Sequence, residues 1–275
     1  MASSVLQRSI GENMNVGGAL QEIQIGSLPV HRVTLEESVE WVIDYLKKKH
    51  LRSPGLIVTP NAQHVTLAEK DAIFRMACRA AALSVPDGAS IVLASRILGT
   101  PIPERVAGCD LMERLCGGCA EHGHSVFFLG GLPGAADKAA QLLSARYPGL
   151  QVAGTYCPPY GFEKNPEECA HIRQQITDAA PDLLLVAFGA PKQEIWAWKN
   201  CADLPVGLAM SVGSSFDTQS GMLARAPLWM QQSGLEWLFR LVTEPKRLWK
   251  RYLLGNVAFL YIVLRQRFSF DRVGG

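Results

Sequence analysis

The chain has 275 residues, of which 48% are hydrophobic and 19% are charged, and its formal net charge is +2. This length is enough for one large domain, or a domain with an appendage, whose core needs no disulfide or metal to stabilise it. The N-terminus contains no apolar stretch typical of a secretory signal, and the longest apolar run, residues 253–264, falls well short of the ~20 residues that a membrane-spanning helix requires.

The predicted elements begin after a polar N-terminal segment, residues 1–21, which is expected to be a disordered leader. Residues 21–33 predict a hairpin or an edge strand, and a helix follows from residue 35. Six short apolar runs then alternate with helical patterns, and runs that are apolar on both faces indicate buried parallel strands. The pattern predicts a doubly wound, mostly parallel, Rossmann-like α/β domain over residues 22–224. The six runs are LIVTPN, AALSVPDG, SVFFLGG, LQVAGTYCP, DLLLVAFG and PVGLAMSVG.

Polar and glycine residues follow several of these runs. In a parallel sheet the carboxyl ends of the strands lie at one edge, where ligands bind. Asp87 stands within Pro-Asp-Gly, which is also an ordinary turn sequence, so its position at this edge is what makes it a candidate site residue. The candidates at the strand ends are Thr59, Asn61, Asp87, Gly130, Gly131 and Gln193.

The seven cysteines are scattered and are interpreted as reduced thiols. Cys116 and Cys119 form a CxxC pair, and His122 and His124 follow closely. A zinc site would need a second pair elsewhere, which the sequence lacks. The preferred interpretation is a helix that runs into a glycine-rich end, and no metal is expected.

Several familiar catalytic motifs are missing. The chain has no GxGxxG with a distant acidic residue, no phosphate-binding P-loop and no complete GxSxG elbow. It also lacks the Asp-x-Asp pair that metal-dependent glycosyltransferases commonly use. These absences favour a phosphate-binding α/β enzyme that uses backbone amides and arginines in place of a metal. No cofactor and no nucleic-acid partner are expected.

The C-terminal appendage, residues 225–275, differs in charge from the rest. It holds nine Lys/Arg and three Asp/Glu, a net charge of +6, whereas the remainder has a net charge of −4. Its sequence predicts helices that break near Pro245, with Arg240, Arg247 and Arg251 at helical spacing. A basic, aromatic and apolar segment too short to span fits a helix lying on an anionic membrane surface. The alternative, a helix of the α/β core, stays open.

Five motifs together resemble the WecG/TagA/CpsF glycosyltransferase family, from about residue 22 to residue 255. The resemblance implies an inverting transfer of a sugar from a nucleotide donor, usually UDP-linked, to a sugar on a polyprenyl-diphosphate lipid. Such an enzyme would assemble exopolysaccharide, cell-wall or surface glycans at the cytoplasmic face of the inner membrane, as a peripheral protein. The motifs are TPNAQHVTLAEKD, PDGASIVLASRILGTPIPERVAGCDLMERL, VFFLGG, AFGAPKQEIW and RAPLWMQQSGLEWLFRLVTEPKRLWKRY.

The resemblance also implies roles for individual residues. Asp87 matches the proposed general base, and Thr59 and Asn61 match the polar pair opposite it. Arg105 and Gln193 match residues of the donor or acceptor pocket. The appendage positions proposed to contact the diphosphate correspond to Arg240, Arg247 and Lys250, where the last is often arginine in the family and Arg251 is the neighbouring alternative. No role is implied for His64.

A second hypothesis is a non-catalytic protein of the same fold that binds a nucleotide sugar or a lipid. The presence of Asp87, Thr59 and Asn61 favours the enzyme, because a decayed site would have lost residues of this kind. The sequence predicts neither the two sugars nor the linkage, and it leaves self-association into a homo-oligomer open.

Overall fold

A computed structural model describes residues 20–48, 53–243 and 245–271. The predicted leader, residues 1–21, therefore lies almost entirely outside the described residues. The first element is an antiparallel hairpin of β1 (Glu22–Ile25) and β2 (Leu28–His31). Gly26 at its turn has a φ of +60°, a conformation that favours glycine.

Six parallel strands form one sheet in the order β4-β3-β8-β7-β5-β6, which confirms the predicted doubly wound α/β fold. Strands β3, β7 and β8 are buried along their whole length, and this explains why their sequences are apolar without alternation. The strands are β3 (Gly55–Val58), β4 (Leu83–Ser84), β5 (Ser125–Gly130), β6 (Gln151–Tyr156), β7 (Leu183–Ala187) and β8 (Leu208–Ser211).

Helices cover both faces of the sheet and continue into the C-terminal appendage. Polar caps fix several of their starts: Thr34 and Glu37 form a reciprocal capping box at α1, and Asn165 caps α7 ahead of a proline in its first turn. The helices are α1 (Leu35–Lys47), α2 (Ala62–Lys70), α3 (Ala72–Arg79), α4 (Ala89–Ile97), α5 (Gly108–His122), α6 (Ala135–Arg146), α7 (Pro166–Ala179), α8 (Lys192–Asn200), α9 (Ser215–Gln219), α10 (Leu228–Gln232), α11 (Glu236–Thr243) and α12 (Pro245–Asp271).

The second half of α12 packs against the α/β body. Phe259, Ile262 and Val263 are buried in a core that also contains residues of the hairpin, α2, α3 and α4. Gln266 fastens the contact, because its Oε1 accepts a hydrogen bond from the Gly26 amide and its Nε2 donates one to the Gln24 carbonyl, both at 2.8 Å. The appendage thus combines a buried face of α12 with an exposed one.

The CxxC pair lies inside α5. Cys116 and Cys119 are both buried in the core between α5 and the sheet, and burial raises the pKa of the Cys119 thiol to about 12. Within the described ranges no group of three or more His, Cys, Asp and Glu side chains is placed to hold a metal ion. The two cysteines are therefore core residues of the helix.

Candidate active site

Asp87 and Asn61 meet because their strands are neighbours. Strand β4 pairs with β3, and the pairing continues beyond both strands: the Val85 amide donates to the Val58 carbonyl and the Asp87 amide to the Pro60 carbonyl, each at 2.9 Å. Gly88, with a φ of +100°, then turns the chain into α4. Two polar side chains from separate strands thus lie at the same point of the sheet edge, as the sequence predicted.

Asn61 caps α2. Its Oδ1 accepts hydrogen bonds from the amides of Gln63 at 3.0 Å and His64 at 3.3 Å, which satisfies two free donors of the first helical turn. Thr59, two residues earlier, is buried, and its side chain lies against Gly108 at the start of α5. Asn61 lines the pocket described next, whereas Thr59 packs against the start of α5 and does not line it.

A pocket of about 440 Å³ opens between α2, α4, α11 and α12. The pocket is lined by polar side chains, here called the polar wall, and by apolar side chains, here called the apolar wall, so it can receive a ligand that has both a polar and an apolar part. The polar wall includes Asn61, Gln63, Asp87, Ser90, Arg105, Glu236 and Arg240, and the apolar wall includes Leu93, Ile97, Trp237, Phe259, Leu260 and Val263.

Glu236 joins two of the predicted site residues. Its Oε2 accepts from Arg105 at 3.0 Å, and its Oε1 accepts from Arg240 at 3.2 Å, so each carboxylate oxygen holds one guanidinium. Burial alone would raise the pKa of Glu236, but the charges of Arg240, Arg105 and Arg225 outweigh burial and lower it. The sequence analysis missed Glu236, although its position four residues before Arg240 on one helix was a usable signal.

Asp87 has an unusual proton affinity. Burial raises the pKa of its carboxyl to about 6; Arg105 opposes the shift, Glu236 adds to it, and Arg240 and His64 oppose it. At neutral pH the side chain is still mostly ionised, but it binds a proton more readily than an exposed aspartate does. This is the property that suits a general base.

Gln193 is placed differently from the pocket residues. It is buried, its Oε1 accepts from the amides of Gly189 and Gly213 at 3.0 Å each, and its Nε2 donates to Glu194 at 2.7 Å. These bonds tie the carboxyl end of β7 to that of β8. Gln193 thus holds two strand ends together and does not line the pocket of Asp87.

His64 and Glu194 form a buried pair behind the polar wall. The distance from His64 Nε2 to Glu194 Oε1 is 3.3 Å, and the same carboxylate oxygen also receives the Gln193 hydrogen bond. Hydrogen bonds therefore run from Asn61, through the backbone of His64, to the loops after β7 and β8. Sequence reasoning gave His64 no role because Glu194 is 130 positions away.

Gly130 and Gly131 lie at the end of β5, outside the pocket of Asp87. Their φ angles are +102° and +83°, and a Cβ at Gly130 would come within 2.7 Å of the Ala187 carbonyl oxygen, so the close approach of β5 and β7 requires glycine. The chain continues from β5 to β6 on one side and from β7 to β8 on the other. Parallel sheets open a ligand crevice where successive connections diverge in this way.

The appendage reaches this edge through Arg240, whose guanidinium lies 3.5 Å from Ser214 Oγ in the loop after β8. The structure thus brings Asn61, Asp87, Arg105 and Arg240 together. Arg247, Lys250 and Arg251 belong to α12, but their side chains lie outside the described part of the chain.

Comparison with known proteins identifies the family of this chain. The sequence model of the family described as "Glycosyl transferase WecG/TagA/CpsF family" matches residues 23–273. An N-acetylglucosaminyldiphosphoundecaprenol N-acetyl-beta-D-mannosaminyltransferase of Bacillus subtilis (strain 168) is 31% identical over 213 residues, 77% of this chain and 80% of the relative. The protein of the same name from Bacillus spizizenii is 32% identical over 199 residues, 72% and 75% of the two chains. The chain therefore belongs to the WecG/TagA/CpsF family and is a glycosyltransferase.

Proposed function

We propose that this glycosyltransferase moves a sugar, with inversion and without a metal, from a UDP-linked donor to a sugar carried on a polyprenyl diphosphate. The single observation that carries the proposal is the convergence of Asp87, Asn61, Arg105 and Arg240 on one pocket that is also lined by apolar side chains. The two Bacillus relatives are named for an acceptor of this kind, N-acetylglucosaminyldiphosphoundecaprenol. The expected product is a lipid-linked disaccharide for exopolysaccharide, cell-wall or surface glycan assembly.

Asp87 would act as the general base. The acceptor hydroxyl oxygen attacks the anomeric carbon of the donor, the bond from that carbon to the diphosphate oxygen breaks, and Asp87 takes the hydroxyl proton. A base with a pKa of about 6 is ionised before each cycle and holds the proton more tightly than an exposed aspartate would. Asn61 lies next to Asp87 on the polar wall, where it would orient the acceptor sugar.

Arginines would meet the negative charge of the leaving diphosphate. Arg240 is suited to this role because it borders the pocket and also contacts Ser214 beyond β8, so it stands between the acceptor pocket and the crevice at β5 and β7. Guanidinium groups bind phosphate through paired hydrogen bonds, and fixed cations stabilise charge that develops in a transition state. Arg247, with Lys250 or Arg251, would add to this charge.

The donor nucleotide would occupy the crevice where the sheet connections diverge. The turn at Gly130 and Gly131 follows β5 at this point, and the Leu132 amide that comes next donates a 2.8 Å hydrogen bond to Asp217 Oδ1. Gln193 would support this side of the site indirectly, by fixing the loops of Gly189 and Gly213.

The exposed face of α12 would rest on an anionic membrane at the cytoplasmic side. Its apolar residues are spaced along one stripe and are between 38% and 71% exposed, and the appendage carries a net charge of +6. Among the described residues, no helix is both long enough and apolar enough to span a bilayer. The stripe is formed by Leu254, Val257, Tyr261, Leu264 and Phe268.

The test is a transfer assay with purified protein. A panel of nucleotide sugars is combined with a short-chain acceptor that carries N-acetylglucosamine on a polyprenyl diphosphate, and products are identified by mass spectrometry and by the configuration of the new bond. We expect one UDP-sugar to give an inverted product in wild type and not in Asp87→Asn. A retained configuration, or equal turnover by the variant, would overturn the proposal.

A further inference from the structure

The Asp87 carboxylate shares its pocket with two arginines and forms an ion pair with neither of them. Arg105 and Arg240 border the same pocket as Asp87, and both lower the pKa of the Asp87 carboxyl. Among the residues that the structure describes, however, none is at ion-pair distance from Asp87, and the two guanidinium groups are bound to Glu236 instead. Glu236 is therefore the group that determines where these cations point.

Glu236 is well suited to this task. Its side chain is only 12% exposed, and it lies in the first turn of α11, where the helix dipole favours a carboxylate. It holds Arg240 of its own helix at i, i+4 and Arg105 of the loop before α5, on opposite oxygens. Arg105 keeps further N–H donors for a ligand, because it uses one of its five in the bond to Glu236. Arg240 also contacts Ser214 Oγ at 3.5 Å.

Removing the Glu236 carboxylate would change the proton affinity of the proposed base, Asp87. Without Glu236, the Arg105 guanidinium would lose its ion-pair partner and would turn to Asp87, which borders the same pocket and whose pKa Arg105 already lowers; Arg240 would lose one of its contacts. An aspartate paired with arginine binds protons weakly and has its lone pairs occupied, so it would be a poorer acceptor for the proton of a sugar hydroxyl. The arginines would also be drawn away from the diphosphate.

We propose that Glu236 is a positioning residue that holds Arg105 and Arg240 on its two oxygens, and so keeps both guanidiniums off the catalytic base and directed at the diphosphate. This inference rests on the proposed role of Asp87. It adds a residue that acts through its neighbours and does not touch the reacting atoms.

Several titratable groups face Asp87, and the test substitutes two of them, Glu236 and Arg105. Arg105 approaches from the loop before α5, Glu236 and Arg240 from α11, and His64 from α2; the Cys109 thiol of α5 is also within electrostatic range. Glu236 raises the pKa of Asp87, whereas Arg105, Arg240 and His64 lower it. Substituting Glu236 and substituting Arg105 must therefore move the pKa of Asp87 in opposite directions.

The experiment measures the pKa of the Asp87 carboxyl directly, without relying on the transfer reaction. Full-length protein is labelled with ¹³C at the aspartate carboxyl carbon, the Asp87 signal is assigned by its loss in Asp87→Asn, and its titration is followed by NMR. The variants are Glu236→Gln, Glu236→Asp and Arg105→Gln. Glu69→Gln is the matched control, because Glu69 also joins the body to the appendage, through Arg265 at 3.6 Å, but does not face Asp87.

We expect Glu236→Gln to lower the pKa of Asp87 by roughly half a unit or more, and Arg105→Gln to raise it. In Glu236→Gln the acid limb of the pH profile of kcat/KM should move to lower pH together with the pKa of Asp87. The plateau value of kcat/KM should fall roughly tenfold or more. Glu236→Asp keeps the charge but is too short to hold both arginines, so the released guanidinium should lower the pKa of Asp87 and the plateau of kcat/KM should still fall. Glu69→Gln should change neither the pKa of Asp87 nor the plateau of kcat/KM.

An unchanged Asp87 titration in Glu236→Gln, or an equal shift in Glu69→Gln, would overturn the inference. If Glu236→Gln does not fold, Glu236→Asp decides the matter, because a wild-type plateau in that variant would show that bridging both arginines is not needed. Failure of the proposed function looks different: wild type would transfer no sugar, or Asp87→Asn would keep its rate, whatever the NMR titration shows.

Discussion

Replacing Asp87 with asparagine is expected to stabilise the folded protein at neutral pH while removing its activity. Burial holds the pKa of Asp87 at about 6, against an ordinary value of 3.8. A raised pKa means that the folded state binds this proton more tightly than the unfolded state does. The stability it contributes is therefore fully present below pH 3.8 and is lost as the pH rises through 6.

The magnitude follows from the shift. About two pH units, at about 1.4 kcal/mol each, give an upper limit of about 3 kcal/mol for the cost of holding the ionised carboxylate in the folded protein above pH 6. Asparagine has nearly the same shape and no charge to desolvate. Asp87→Asn should therefore be more stable than wild type by about 1–3 kcal/mol at pH 8, with the difference disappearing near pH 4.

The assay is urea unfolding of both proteins at intervals between pH 4 and pH 8, alongside transfer rates at the same pH values. Asp178→Asn, an exposed substitution on α7, controls for the exchange itself. The rate of Asp87→Asn should be lower by 10²–10⁴-fold, as for other general bases. A stability difference that does not change with pH, or a variant less stable than wild type at pH 8, would refute the reasoning about burial of the charge.

Four further outcomes are expected. Transfer should survive excess EDTA, and loss of activity with rescue by Mg²⁺ or Mn²⁺ would contradict metal independence. Arg240→Ala should lower kcat/KM for the UDP-sugar by about 1–3 kcal/mol in activation free energy, whereas Arg265→Ala, remote from the pocket, should not; equal effects would argue against a phosphate contact. Val257→Glu on the exposed stripe should reduce co-sedimentation with anionic liposomes more than Leu142→Glu on α6 does, and equal binding of both would exclude the stripe as the membrane surface. Gln193→Ala should lower the free energy of unfolding by about 1–3 kcal/mol, because the amides of two partly buried glycines lose their acceptor, and an unchanged stability would refute its bridging role.

The sheet and the strand-end residues could be predicted from local sequence. The apolar runs give β3 to β8 directly, and adjacency of β3 and β4 brings Asn61 and Asp87 together as expected. What escaped prediction depends on contacts between distant segments. Glu236 gains its partner Arg105 across 131 positions, and nothing near Gln193 in the sequence indicates that its carboxamide would be bound to two glycine amides inside the protein.

The appendage illustrates the same limit. Helix α12 has apolar residues on two faces, and periodicity cannot tell which of them is buried. Phe259, Ile262 and Val263 pack into the core with the hairpin, whereas Val257 and Tyr261 are exposed. The sequence left two alternatives open, a surface helix and a core helix. Each of them describes one face of α12.

The hydrogen bonds between Gln266 and the hairpin have a consequence for the order of folding during synthesis. Gly26 and Gln266 are 240 positions apart, so the hairpin leaves the ribosome long before the helix that packs against it. Until then the apolar faces of the hairpin, α2 and α4 have no cover from α12, and contacts of such long range form slowly. The nascent chain should consequently depend on chaperones late in translation, and a premature stop within α12 should yield an aggregating product instead of a soluble catalytic domain.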